Sequence, residues 1–229
     1  DQSSSRGLGD VYKRQGFRQL STDAETMKTL HDEDHLSLSA VTDAEWQHLL
    51  ANEGVVMVDQ QNDSHTLLAR HQGNSKTIKP LHWVNRAHLG RIKARNREQS
   101  FALDLLLDPS IALVTLVGKA GTGKTLLALA AGLHQVADTH QYARLLVTRP
   151  PISLGKDIGY LPGTLEEKLG PWMKPIIDNI DFITGASPGD EVEQMKKPKH
   201  REPRNAWADL QGMGLLEVEA INTIRGRSI

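Results

Sequence analysis

The segment Gly118–Thr125, with the sequence GKAGTGKT, constrains this chain more than any other feature. It fits the pattern G-x-x-x-x-G-K-[ST], in which backbone N–H groups of a glycine-rich loop converge on phosphate oxygens. The pattern requires a strand before the loop and a helix after it. An apolar β-branched run, Ile111–Val117, precedes the loop, and a Leu- and Ala-rich stretch, Lys124–Val136, follows it. The sequence therefore predicts a phosphate-binding loop in its usual setting.

The residue types of the loop indicate how a nucleotide is held. Glycines permit backbone angles and a close approach that a Cβ atom obstructs. We expect Lys124 to bridge the β- and γ-phosphates and the Thr125 hydroxyl to coordinate Mg²⁺, which makes both candidate catalytic residues and Thr125 the candidate metal ligand. The loop residues expected to bind a nucleoside triphosphate are Gly118, Lys119, Ala120, Gly121, Thr122, Gly123, Lys124 and Thr125.

The elements around the loop predict an α/β fold. Apolar residues at helical spacing predict a helix over Glu98–Leu107, and a second strand is expected at Leu145–Thr148. Strand, helix and strand in this order form the βαβ unit of a parallel sheet. The run Ile111–Val117 has the continuous apolar character of a buried parallel strand. We therefore expect a P-loop NTPase with a parallel sheet flanked by helices.

The upstream residues have a different pattern. Residues 1–15 resemble translated sequencing-adaptor sequence and are interpreted as a non-native segment. Residues 16–51 predict a linker with a short helix over Thr42–Ala51. Residues 52–90 predict a small β-rich spacer module, because three short β-like runs are separated by turn residues. These strands are expected at Val55–Val58, Thr66–Ala69 and Lys76–Ile78.

The linker contains a charged cluster from His31 to His35. The two histidines would share a helix face and are a candidate metal pair. A solvated acidic linker is the favoured interpretation, since nothing nearby supplies an ordered second shell.

Composition narrows the choice of partners and compartment. The formal net charge of −1 gives no general attraction to nucleic acid or membrane, so such binding depends on local clusters of Arg and Lys. No apolar run reaches the length of a membrane span. Cysteine is absent, which excludes disulfides and thiolate sites and is typical of a reducing compartment. The cytoplasm is the expected location, with no membrane partner.

Hydrolysis requires an Asp on a later strand to hold Mg²⁺, usually followed by an acid that positions water. The strand-like run Leu215–Ala220 places Glu217 and Glu219 in alternation and does not end in Asp-Glu. Val55–Asp59 has the right pattern but precedes the loop, which fits only a permuted fold. The expectation is that the missing strand lies beyond Ile229 and that the domain is truncated.

Several segments together resemble the PhoH family, especially its longer members, in which a PIN nuclease domain precedes the ATPase. They are RNREQ at 95–99, the loop with its flanks at 113–133, the stretch 145–180 with RPPISLGKDIGYLPGTLEEKLGPW, and LLEVEAINTIRGRSI at 215–229. The resemblance assigns residues 91–229 to a PhoH-like P-loop ATPase domain, incomplete at its C-terminus.

The resemblance implies ATP with Mg²⁺ as ligand. Asn96 and Gln99 are similar to the glutamine motif that hydrogen-bonds adenine, because a Gln amide offers both a donor and an acceptor. A helix-capping Asn with a surface Gln is the alternative.

The resemblance also implies single-stranded RNA as a partner of the parent protein. Thr148 and Arg149 resemble a strand-end pair that meets the phosphodiester backbone in helicases. Arg225 and Arg227 are expected to contact nucleic acid, or to act as arginine fingers in a homo-oligomeric ring. Surface charge without a partner is the alternative for these arginines.

Three functions remain open on the sequence. An RNA-linked ATPase of the helicase type is favoured by the resemblance. A small-molecule phosphotransferase uses the same loop, although an Arg-rich lid is not recognisable. A nucleotide-binding regulatory module would bind ATP without turnover. RNA-stimulated ATPase activity separates the first function from the other two.

Overall fold

The computed structural model describes residues 16–41, 44–73, 75–87, 89–149, 165–185 and 206–220. The chain divides into two compact units. The first comprises Asp1–Arg86 together with Arg95–Asp108, and the second comprises Ala87–Ala94 together with Pro109–Ile229. The boundaries at 86/87, 94/95 and 108/109 show that the chain passes between the units more than once. The segment 1–15, interpreted above as non-native, lies outside the described residues.

The first unit contains five strands and four helices within the described residues. In chain order they are β1 (Phe17–Thr22), α1 (Ala24–Glu33), β2 (Leu36–Ser37), α2 (Ala44–Gln47), β3 (Gly54–Asp59), β4 (Asn62–His71), β5 (Thr77–Pro80), α3 (Trp83–Arg86) and α4 (Arg97–Leu107). A short 3₁₀ turn at Leu38–Ala40 follows β2.

The strands of this unit form one mixed sheet in the order β1-β3-β4-β5-β2. β1 runs parallel to β3, whereas the other neighbouring strands are antiparallel. Every residue of β3 is buried. Alternate side chains of a strand point to opposite faces, and β3 accordingly contributes Val55 and Met57 to one core and Val56 and Val58 to another. The sheet is therefore covered on both faces.

Helix α4 packs closely on the sheet next to β1 and β3. A Cβ atom added at Gly54 would lie 2.7 Å from ring atoms of Phe101, so only glycine fits there. The Phe101 ring stacks on Phe17 with centroids 5.3 Å apart. The Arg97 guanidinium lies 5.2 Å from the Phe17 ring centroid, at cation–π distance. The first turn of α4 is thereby fixed to β1.

Three predicted strands of the spacer are confirmed as the central parts of β3 and β4 and as β5. The prediction of a linker over 16–51 differs from the structure, which has β1 and α1 there. The buried core residues of these two elements are Leu20, Met27 and Leu30. They are too widely spaced in the sequence to predict a strand at β1 or a helix at α1. The predicted helix at 42–51 is described only as α2, whose Trp46 is buried. His31 and His35 are both exposed.

Asp23 caps the N-terminus of α1. Its Oδ1 accepts a hydrogen bond from the Thr26 N–H at 2.7 Å, and its Oδ2 accepts one from the Thr26 hydroxyl at 3.0 Å. These bonds hold the pKa of Asp23 below its ordinary value of 3.8, because they favour the charged carboxylate.

We expect Asp23→Ala to lower the free energy of unfolding by about 1 kcal/mol at neutral pH. The lowered pKa means that the cap stabilises the fold above pH 3.8 and loses this effect as the pH falls through the folded-state pKa. Urea unfolding at neutral pH and in stronger acid measures both effects. Asp32→Ala, an exposed position in the last turn of α1, is the matched control. A cost for Asp23→Ala that stays constant down to the most acidic pH would contradict this role.

The described elements of the second unit are three helices, a π-helical turn and two strands. They are α5 (Lys124–Leu133), the π turn His134–Asp138, β6 (Leu145–Arg149), α6 (Leu165–Thr184), α7 (Ala206–Gly212) and β7 (Leu216–Ala220). β6 and β7 pair in parallel. A Cβ atom at Gly132 would lie 2.8 Å from Leu145 Cδ1, so α5 packs tightly against β6.

The predicted helix after the loop and the predicted strands at 145–148 and 215–220 are confirmed as α5, β6 and β7. The prediction of a buried strand over Ile111–Val117 is wrong in this structure. These residues have no strand assignment, and Leu113 and Val117 are 83% and 91% exposed. An apolar run becomes a buried strand only where neighbouring strands flank it, and the described strands of this unit pair only with each other.

The α/β class is thus confirmed in its general form. The larger sheet is mixed rather than parallel, and parallel pairing in the second unit is described for β6 and β7. Among the described helices, none combines the length and the apolar character needed to cross a membrane.

Candidate nucleotide site

The phosphate loop precedes α5, and two glycines give it its shape. Gly121 and Gly123 have φ angles of 79° and 86°, in the left-handed region that other residues rarely adopt. Gly123 is also the N-cap residue of α5. An added Cβ atom at Gly121 would meet no atom within 4 Å, so the loop is open on that side. The backbone therefore forms an open turn in front of the helix.

Lys124, the first residue of α5, folds its side chain back across the loop. Its Nζ donates hydrogen bonds to the carbonyl oxygens of Gly118 at 2.9 Å and Lys119 at 2.7 Å. The Thr122 hydroxyl donates to the same Lys119 oxygen at 2.9 Å. The ammonium group is thereby held at the loop rather than extended into solvent.

These residues fit the phosphate chain of a nucleotide. The first N–H groups of a helix lack helical partners and lie at the positive end of its dipole, an arrangement that favours anions. α5 begins directly after the glycines, with a fixed cation from Lys124 beside it. Thr125 is exposed in the first turn of α5, so its side chain would be available as a ligand for Mg²⁺. In the described part of the chain, His, Asp and Glu do not form a group of three or more suited to hold a metal.

Asn96 and Gln99 lie in the first unit, where they cap α4. The Asn96 Oδ1 accepts a hydrogen bond from the Gln99 N–H at 2.9 Å, and the Gln99 Oε1 accepts one from the Arg95 N–H at 2.8 Å. The pair resembles a capping box, except that the Gln99 side chain accepts from the residue before the N-cap rather than from the N-cap residue itself. It agrees with the alternative interpretation, a helix-capping Asn, while adenine binding by the pair stays a prediction.

The residues predicted to contact nucleic acid are only partly described. Thr148 is exposed near the end of β6 and pairs with Glu219 of β7 in the strand register. The backbone of Arg149 is in β6, but its side chain is not described. Arg225 and Arg227 lie outside the described residues. Their predicted roles therefore stay predictions.

Asp59, which has the sequence pattern of a strand-end catalytic acid, has a local structural role. It ends β3 in the first unit, where its Oδ1 accepts the Gln61 N–H at 2.9 Å and its Oδ2 lies 3.1 Å from the His65 Nδ1. The bond from Gln61, followed by that from His65, holds the pKa of Asp59 below its ordinary value. Both bonds lie within the β3–β4 hairpin, so Asp59 stabilises that turn.

Sequence reasoning missed a buried ionic cluster in the first unit. The Arg70 Nε donates to Asp104 Oδ2 at 3.0 Å, its Nη2 donates to Asp108, and its Nη1 donates to Asn52 at 3.1 Å. Burial raises the pKa of Asp104, although the Arg70 charge and the N–H groups of Trp83 and Val84 oppose this shift. The sequence feature that could have indicated this cluster is Asp104, a charged residue among the apolar residues of the predicted helix over Glu98–Leu107.

Comparison with known proteins places this chain among established relatives. The family model described as PhoH-like protein matches residues 91–229. Protein PhoH2 of Bacillus subtilis (strain 168) is 40% identical over 214 residues, which cover 93% of this chain and 44% of that protein. Protein PhoH2 of Mycolicibacterium smegmatis is 40% identical over 139 residues, covering 60% of this chain and 28% of that protein.

The chain spans less than half the length of these curated relatives. No solved structure matches it. The matched range 91–229 includes the phosphate loop, β6 and β7 and covers more than half of the chain. The chain therefore belongs to the PhoH family, a family of the P-loop NTPase type.

Proposed function

We propose that this chain binds ATP with Mg²⁺ through the loop Gly118–Thr125 and forms the nucleotide-binding part of an RNA-linked ATPase of the helicase type. The observation that carries the proposal is the arrangement of the loop. Two left-handed glycines open the turn, and Lys124 Nζ lies within 3 Å of two loop carbonyls at the start of α5. Convergent N–H groups and a fixed cation suit a di- or triphosphate.

In this proposal Lys124 neutralises charge on the β- and γ-phosphates, and Thr125 supplies a metal ligand. Mg²⁺, when bound, offsets phosphate charge during transfer of the γ-phosphoryl group. Catalysis of this kind depends mainly on positioning and charge stabilisation. Both residues belong to the first turn of α5, so the helix fixes their spacing.

Adenine selectivity is assigned to Asn96 and Gln99. Gln99→Ala removes the whole amide, including the oxygen that accepts from the Arg95 N–H, whereas Gln99→Glu keeps an accepting oxygen, loses the amide donor and adds a negative charge. We expect both variants to lose most of their preference for ATP over GTP, and only Gln99→Ala to lose thermal stability. Competition between ATP and GTP for the bound site, together with melting curves, gives the two readouts. Unchanged selectivity in Gln99→Glu would leave the pair with a capping role alone.

Contact with single-stranded RNA is assigned to Thr148, Arg149, Arg225 and Arg227. The exposure of Thr148 near the end of β6 supports access of a phosphodiester backbone to that position. Arg and Thr side chains are common donors to such backbones. The proposal also includes a homo-oligomeric ring in the cytoplasm, in which Arg225 and Arg227 would act as arginine fingers on the γ-phosphate of a neighbouring subunit.

We further propose that this chain binds ATP well and hydrolyses it slowly. In the described ranges, β6 ends in Thr148 and Arg149, and β7 carries Glu217 and Glu219 without a terminal Asp. The Glu217 carboxylate forms an ion pair with Arg144 at 2.9 Å, a contact that differs from the metal coordination expected of a catalytic acid. Loss of groups that act on the γ-phosphate reduces turnover more than binding.

Phosphate release by this chain and by the longer relative, protein PhoH2 of Bacillus subtilis, tests the proposal with and without single-stranded RNA. We expect RNA-stimulated release by the longer protein and little release by this chain. Equal release by the two proteins would contradict slow turnover here. Transfer of the γ-phosphate to a metabolite would favour a phosphotransferase, and tight binding by both proteins without turnover would favour a regulatory module.

A further inference from the structure

The Thr122 hydroxyl occupies a central position in the phosphate loop. Thr122 lies between Gly121 and Gly123, the two residues with left-handed backbone. Its hydroxyl donates to the Lys119 carbonyl oxygen at 2.9 Å and so closes the turn across its own loop. A Cβ atom added at Gly118 would lie 3.4 Å from the same hydroxyl oxygen. The hydroxyl therefore packs against both the beginning and the middle of the loop.

The bond to Lys119 fixes more than one carbonyl group. The peptide bond is planar and trans, so the orientation of the Lys119 carbonyl also sets the direction of the Ala120 N–H. That N–H belongs to the run of backbone donors expected to meet phosphate oxygens. Without the hydroxyl, this peptide plane loses a constraint beside Gly121, whose backbone is the least restricted in the turn.

The same hydroxyl lies next to the Lys124 ammonium, which carries three donors. Two of them are directed to the carbonyls of Gly118 and Lys119. Lys124 Nζ also lies 3.4 Å from the Thr122 Oγ1, at the long limit of a hydrogen bond. A phosphate oxygen can replace this weak acceptor while the two shorter bonds to the carbonyls persist.

We propose that Thr122 is a positioning residue of the nucleotide site. Its side chain orients the Lys119–Ala120 peptide and lies beside the Lys124 ammonium, where a phosphate oxygen of ATP replaces the Thr122 hydroxyl as acceptor. The proposal rests on the proposed function, ATP binding by this loop. It assigns a role to the Thr122 side chain that the motif G-x-x-x-x-G-K-[ST] does not specify, since any residue satisfies the motif there.

Two substitutions separate the hydroxyl from the shape of the side chain. Thr122→Val keeps the β-branch and removes the hydroxyl, whereas Thr122→Ser keeps the hydroxyl and removes the methyl group. We expect the Kd for ATP·Mg²⁺ to rise about 3- to 10-fold in Thr122→Val and to change less than about twofold in Thr122→Ser. Isothermal titration gives the affinities, and melting curves without nucleotide show that each variant is folded.

Thr139→Val is the matched control, because its hydroxyl also donates to backbone carbonyls, those of His134 and Gln135, but outside the loop. It is expected to bind ATP like the unchanged chain. Wild-type affinity in Thr122→Val, or an equal loss in Thr122→Ser, would overturn the positioning role while leaving ATP binding by the loop intact. If the unchanged chain and Lys124→Ala bind ATP equally weakly, the proposed function fails, and the role of Thr122 fails with it.

Discussion

Replacing Lys124 with alanine is expected to remove most of the affinity of this chain for ATP·Mg²⁺, with a rise in Kd of roughly 10- to 100-fold. The lysine supplies a fixed cation at the loop, and hydrogen bonds to a charged phosphate are among the strongest single contacts in a site. Isothermal titration of the two proteins measures the change.

The lysine variant is expected to fold normally, because the bonds from Nζ to Gly118 and Lys119 lie at an exposed position. Its melting temperature without nucleotide should match that of the unchanged chain. Lys174→Ala, at an exposed position of α6 in the same unit, controls for the loss of one positive charge. Equal ATP affinity in Lys124→Ala and the unchanged chain would show that the lysine does not contribute to nucleotide binding.

Arg70→Ala is expected to lower the free energy of unfolding of the first unit by about 3–5 kcal/mol, because it leaves buried carboxylates without their cation. Arg70, Asp104 and Asp108 are 3%, 1% and 6% exposed, and the arginine donates to both carboxylates. Urea unfolding measures the loss. The cost should shrink as the pH falls, since burial raises the pKa of Asp104 and its protonation removes an unpaired charge.

Arg18→Ala is the matched control for this cluster. Arg18 also binds a carboxylate, that of Glu53 at 2.7 Å, but its side chain is 35% exposed. Partly exposed ion pairs contribute at most about 1 kcal/mol. An Arg70→Ala cost no larger than that of Arg18→Ala, or a cost that does not depend on pH, would show that burial of the cluster matters little.

The sequence predicted those parts of the structure in which local pattern and burial agree. The helix after Gly123 and the strands β3, β4 and β6 each combine a clear apolar period with turn residues at their ends, and all are present. The motif located the phosphate loop, and Gly121 and Gly123 have the backbone angles that glycine permits, whereas nucleotide binding by the loop residues stays a prediction. The internal bond of the loop from Thr122 to Lys119 could not be read from the motif, since it depends on the curvature of the loop.

Elements whose burial depends on distant partners were not predictable in the same way. β1 and α1 lie in a polar stretch, and they are ordered because Leu20, Met27 and Leu30 reach a core built largely by later residues. Conversely, Ile111–Val117 is apolar except for Thr115 and is not paired in the described structure, because a strand needs neighbours as well as composition. The Arg70 cluster joins positions more than 30 residues apart, beyond the reach of any local pattern.

The dependence of affinity on phosphate number tests the central claim, nucleotide binding through the loop, most directly. Titration of the unchanged chain with adenosine, AMP, ADP and ATP in the presence of Mg²⁺ varies only the part of the ligand that the loop is expected to hold. The predicted result is weak binding of adenosine and AMP and much tighter binding of ADP and ATP, because the N–H groups and Lys124 act on the β- and γ-phosphates. Equal affinity for all four ligands would contradict the account.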